Sequence, residues 1–128
     1  MSAQTAVSIF YPGLTTVSAT GAAAAAVTLT VPALAANFNY LIGFSIEQYA
    51  TAALTGGATP VLVTTTGILG TPTYTFSTAL AIGAMERVNV FPSAPIKGTA
   101  VNTAATIVCP ATTSVIWRVN AYYYTDLV

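Results

Sequence analysis

Apolar and polar residues alternate with a period of two along most of this chain, the spacing of strands with one buried face. In Ala26 to Val31, Val27, Leu29 and Val31 fall on one side and Thr28 and Thr30 on the other. Tyr40 to Tyr49 extends the same pattern, and strict alternation predicts Tyr40, Ile42, Phe44 and Ile46 on one face and Gly43, Ser45 and Glu47 on the opposite one. Pro60 to Thr66, Thr73 to Thr78, Arg87 to Phe91, Thr103 to Cys109 and Val115 to Tyr124 are further β-rich blocks, and Ser8 to Tyr11 reads as another. Turn chemistry separates them at Tyr11-Pro12-Gly13, Thr55-Gly56-Gly57, Gly70-Thr71-Pro72, Pro92 to Pro95 and Pro110 to Thr113. The Ala22 to Ala26 run is too short and uncapped to hold a helix, so it is expected as a loop or irregular turn. Roughly eight strands at short spacing without a helix predict an all-β fold, a single-domain antiparallel β-sandwich spanning residues 1–128, with a jelly roll as the leading topology.

The last block carries the most information. Alternation places Val115, Trp117, Val119, Ala121 and Tyr123 on the core side, and Ile116, Arg118, Asn120, Tyr122 and Tyr124 on the outer side. Tyrosine and arginine are enriched in protein interfaces, because a tyrosine buries its ring while its hydroxyl keeps a partner. Ile116, Arg118, Tyr122 and Tyr124 are therefore candidate interface residues. The other reading is an inner strand whose outer face happens to be aromatic. Ile9 and Phe10 join the candidates, next to an uncharged segment, Met1 to Ile9, expected as an N-terminal arm or edge strand.

Charge sharpens this picture. Only three basic and three acidic residues occur in 128, and the formal net charge is zero. An ordinary soluble domain carries roughly a quarter of its residues as charges. A surface this poor in charge favours self-association unless partners cover it, which predicts a subunit of an assembly. Val17 to Ala36, the most apolar-looking stretch, is interrupted by Gly21, Pro32 and hydroxyl residues, so no membrane-spanning helix is expected. The N-terminus lacks the basic region of a signal peptide, which predicts synthesis in a cytoplasm.

Catalytic chemistry is sparse. The chain has no histidine, which removes Ser-His and Cys-His nucleophile pairs and the commonest metal ligand. The carboxylates are Glu47 in mid-strand, Glu86, and Asp126 in the terminal tail, a scatter that does not suggest a paired-carboxylate site. Glu86, Arg87 and Arg118 are expected in surface or interface ion pairs. The lone Cys109 excludes an internal disulfide and reads as a small core or half-buried strand residue. No enzyme activity, cofactor or metal is expected, and three basic residues are too few for nucleic-acid binding. A carbohydrate-binding or host-recognition β-sandwich module is the alternative, with Tyr11, Tyr49, Tyr74, Trp117 and Tyr122 to Tyr124 as the aromatics for a sugar; a self-assembling surface or filament subunit is another.

Three blocks carry a family resemblance: Asn39 to Ile46 as an early long strand, Phe91 to Gly98 before a Thr/Ala-rich strand, and the closing Val115 to Tyr124, behind Thr/Ala/Val-rich opening strands. In layout the chain resembles the small β-sandwich virion proteins of tailed bacteriophages, in particular the capsid decoration, or cement, proteins. The resemblance implies a non-enzymatic homo-oligomer, a trimer favoured, that binds the major capsid protein or other virion subunits on the capsid exterior and stabilises the shell. It matches no diagnostic motif and transfers no binding residue.

Overall fold

The computed structural model describes residues 13–57 and 59–127, which form nine strands and no helix. In chain order these are β1 (Thr15–Thr20), β2 (Val27–Val31), β3 (Phe38–Ala50), β4 (Val61–Thr66), β5 (Tyr74–Phe76), β6 (Met85–Val90), β7 (Ile96–Lys97), β8 (Ala105–Cys109) and β9 (Val115–Asp126). Two antiparallel sheets pack face to face. The first has the order β1-β9-β3-β6, with β7 also paired to β3, and the second the order β2-β8-β4-β5. The expected β-sandwich is what the chain forms. Ser8 to Tyr11 and Met1 to Ile9 lie outside the described residues.

The core follows from the alternation. Val27, Leu29 and Val31 of β2 and Ala105, Ile107 and Cys109 of β8 point inward from the second sheet. They meet Phe44 and Ile46 of β3 and Val115, Trp117, Val119 and Ala121 of β9 from the first. Aromatic edges lock the layers together: Phe76 meets Trp117 edge-on with ring centroids 5.1 Å apart, and Tyr74 meets Phe44 at 5.6 Å. The Trp117 indole N–H donates to the Pro110 carbonyl at 2.9 Å, so the largest buried ring leaves no polar atom unpaired. Each fully buried side chain of this size contributes about 1.5–3 kcal/mol over its exposed state.

Among the described strands, strict alternation fails once, in β3. The register with β9 shifts between Leu41 and Gly43, so Ile42 is the extra residue of a β-bulge. Before the bulge the phase is reversed: Leu41 is buried in the core, and Tyr40 lies on the outer side, stacked on Tyr124. The expectation that Tyr40 and Ile42 share a face with Phe44 and Ile46 is therefore corrected. Two further differences concern short elements. β1 was hidden by its Thr/Ser/Ala content, and two-residue β7 by the prolines around it. Ala22 to Ala26 forms no helix; Ala24 takes a positive φ of 66° and its N–H donates to the Val115 carbonyl at 2.9 Å.

Candidate interface on the outer face of the first sheet

Pairing of β1, β9, β3 and β6 builds the outer face of the first sheet row by row, with strands about 4.8 Å apart. The first row is Ile116, Tyr49 and Met85, an apolar strip in which Met85 is 58% exposed. The second is Arg118, Glu47 and Arg87. Asn120, Ser45 and Asn89 form a polar third row, extended by Ser18 of β1. Next comes Tyr122, opposite Gly43, with the Phe91 ring over that glycine and 6.0 Å from the Tyr122 ring. Tyr124 and Tyr40 then stack at 5.0 Å, nearly parallel. The last row sets Asp126 beside Phe38, over whose ring the Lys97 ammonium sits at 4.1 Å. Such a cation–π contact contributes about 0.5–1 kcal/mol at a partly exposed site.

Glu47 organises the charged row. It is buried, and Arg87 and Arg118 reach it from the two neighbouring strands, Arg87 in direct contact and Arg118 Nη1 at 3.9 Å from Oε2. Both arginine side chains are more than half exposed, which leaves most of their N–H donors facing out. The expected pairing of Glu86 is corrected: Glu86 Oε1 accepts the Ser77 backbone N–H at 2.8 Å at the sandwich edge. Asp126 is also corrected, from the terminal tail to the last residue of β9, where Oδ1 accepts the Leu127 N–H at 2.6 Å.

The four β9 candidates, Ile116, Arg118, Tyr122 and Tyr124, share this face, and Ile9 and Phe10 lie outside the described residues. Tyr40, Met85 and Phe91 belong with them and were missed; Glu47, expected on the face opposite Phe44, and Arg87, expected only in an ion pair, belong there too. The signal was present in the outer positions of β3, but the bulge at Ile42 put Tyr40 out of phase.

Charge is distributed unevenly between the two sheets. All three basic and all three acidic residues of the chain stand on β3, β6, β7 and β9 of the first sheet. The second sheet turns Thr28, Thr30, Thr64, Thr66, Thr106 and Val108 outward and carries no charge at all. Thr66 and Thr106 hydroxyls bond to each other at 2.6 Å.

Three of the aromatics considered as sugar platforms are turned into the sandwich. Trp117 is fully buried, and Tyr74 and Tyr123 pack against the core, so these three are not open platforms for a sugar. Tyr11 lies outside the described residues. A groove of about 820 Å³ at the loop end is lined by residues such as Leu54, Thr59, Thr78 and Thr112 and has no charged or aromatic wall. Among the described residues no cluster of three or more His, Cys, Asp or Glu is placed to hold a metal, and no helix is long and apolar enough to cross a membrane. Comparison with protein families, with curated proteins and with solved structures finds no match for this chain.

Proposed function

We propose that this chain is a non-enzymatic structural protein of a virion, a homo-oligomeric decoration protein that docks on the exterior of a capsid shell and stabilises it. The observation that carries the reading is the outer face of the first sheet, where Tyr40, Tyr49, Met85, Arg87, Phe91, Arg118, Tyr122 and Tyr124 are gathered on a chain otherwise nearly devoid of charge. Tyr, Phe, Met and Arg are the residue types that interface cores select. Apolar, charged, polar and aromatic rows in succession give the face a pattern that only a matching surface satisfies. The strand orders β1-β9-β3-β6 and β2-β8-β4-β5, with the chain crossing repeatedly between sheets, also support the jelly-roll topology.

Mechanism on this reading is association alone. A standard interface covers about 800 Å² per partner, and each bound subunit shifts the shell toward its assembled state by mass action. The test is gradient fractionation of particles from the source, followed by heating of decorated and stripped shells. The chain should band with intact particles, and stripped shells should rupture at lower temperature. Recovery of the chain only outside particles, or equal rupture temperatures, would overturn the reading.

A further inference from the structure

The first sheet ends on two edges of different character. β6, at one edge, turns Glu86 inward beside the core and carries Arg87, devices that discourage pairing with a further strand. β1, at the other edge, is six residues of Thr, Val, Ser and Ala with no charge, no proline and no bulge, and among the described residues it pairs only with β9. In the second sheet, the edge strand β5 is three residues long, and β2 runs straight into Pro32. Among the described residues, β1 is the one edge of the four that combines six residues with no charge, proline or bulge.

We propose that β1 pairs antiparallel with β1 of a second copy of this chain, joining two first sheets into one continuous sheet. Hydrogen-bond phase fixes which groups are free. The Gly21 N–H donates to the Trp117 carbonyl at 3.3 Å, and Gly21 continues the β1–β9 register opposite Trp117. Hydrogen-bonded and non-bonded pairs alternate along an antiparallel ladder, so Ala19, Val17 and Thr15 bond to β9. The backbone N–H and C=O groups of Thr16, Ser18 and Thr20 therefore point to the open edge.

The self-pairing register follows from the same phase. Ser18 opposite Ser18 of the copy, with Thr16 opposite its Thr20, uses all three outward residues as hydrogen-bonded pairs. That register sets Val17 against Ala19 of the copy on the core face and threonine against threonine on the outer face, so small side chains meet and no charge opposes its like. The two-fold axis stands perpendicular to the sheet, so both copies present their Tyr122 and Arg118 rows to the same side. A six-residue edge covers less than a stable interface needs, so the dimer is weak in solution. Two docking faces held together gain affinity for any common surface.

The inference is tested on the protein alone, independently of any shell. Sedimentation equilibrium across a wide concentration range should show a monomer–dimer equilibrium. Ser18→Pro removes one outward N–H without touching a β9 bond and should weaken the dimer about tenfold or more, while Ser18→Ala should leave it unchanged. Thr16→Lys with Thr20→Lys should abolish it by setting lysine against lysine, whereas Thr16→Lys with Thr20→Glu should restore it, a charge dependence that a folding defect would not reproduce. Circular dichroism melts establish that each variant folds. A wild type that is monomeric at every concentration, or trimeric, would overturn the proposal. So would dimerisation that survives both Ser18→Pro and the double lysine variant, or that appears only after deletion of residues 1–12.

Discussion

The ring of Phe91 lies directly over Gly43: a Cβ added at that glycine would stand 2.1 Å from Phe91 Cδ1. Gly43 follows the bulge residue Ile42, so the site where the strand gains a residue is also the site where a ring covers bare backbone. Phe91 is 57% exposed and free to swing outward. Gly43→Ala should therefore change stability by no more than about 1 kcal/mol, because the strand gains an alanine while the ring loses its seat. Through-space NMR contacts between the Phe91 and Tyr122 rings should disappear. A loss of several kcal/mol in a denaturant melt would mean that the ring is held far more tightly than its exposure indicates.

Gly67 presents the opposite case. Its φ is +76°, and a Cβ there would meet the Ala104 carbonyl oxygen at 2.0 Å, a backbone atom with no rotamer to escape into. The strain of a left-handed residue and the displacement of β8 add, so Gly67→Ala should cost about 2 kcal/mol or more in urea unfolding. A change below about 0.5 kcal/mol would show that the turn relaxes freely.

Burial of Cys109 on the inner face of β8 pushes its thiol up to about 12, against an ordinary value near 8.5. Burial also raises Tyr74. For both groups the folded state favours the protonated form, so the unfolded chain releases protons first as pH rises. Stability is then full below about pH 8.5, where neither state has lost the Cys109 proton, and declines as pH climbs toward about 12. The melting temperature should fall through that window, and Cys109→Ala should flatten part of the decline after an initial cost of about 1 kcal/mol or more for the lost side chain. Native Cys109 should also resist thiol reagents at neutral pH. Rapid labelling under native conditions would contradict its burial.

Glu47 is buried while both of its arginine partners are more than half exposed. The several kcal/mol lost on breaking a fully buried pair does not apply, because water solvates the freed guanidinium groups. Glu47→Gln should cost about 1 kcal/mol, and the difference from wild type should shrink as salt is raised. A cost above about 3 kcal/mol would place the arginines deeper than their exposure allows.

Period-two reading located the inward sets of β2, β8 and β9 because those strands run without interruption against one core. β9 holds its phase from Val115 to Tyr123, so Ile116, Arg118, Tyr122 and Tyr124 were legible as one face. β3 was misread at one end for a physical reason: a bulge adds a residue without a compositional mark, and Ile42 is as apolar as the residues that flank it. Glu47 was placed on the outer face correctly, but its partners were not foreseen, since cross-strand neighbours depend on register and Arg87 and Arg118 lie far from it in sequence. β1 escaped notice because Thr15 to Thr20 lacks large apolar residues; as an edge strand it buries only Val17 and Ala19 in part. The confinement of every charge to one sheet was likewise invisible until the strands were assigned to layers.

Tyr122 stands in mid-face on β9, half-buried beside Phe91, and points away from Trp117 and Val119 in the core. Truncation to alanine should leave the melt of the free protein within about 1 kcal/mol of wild type, because neither the core nor a backbone pair is touched. If the outer face docks a shell, the same change removes a central ring of the kind that dominates interface energies, at a cost of about 2 kcal/mol or more, roughly a thirtyfold loss in affinity. Thr28→Ala on the uncharged outer face of the second sheet is the control and should bind as wild type. Occupancy of shells at matched protein concentration, with the rupture temperature of those shells, reads out both variants. Binding of Tyr122→Ala equal to wild type, with loss in Thr28→Ala, would transfer the docking surface to the threonine face of the second sheet and refute the assignment made for the first.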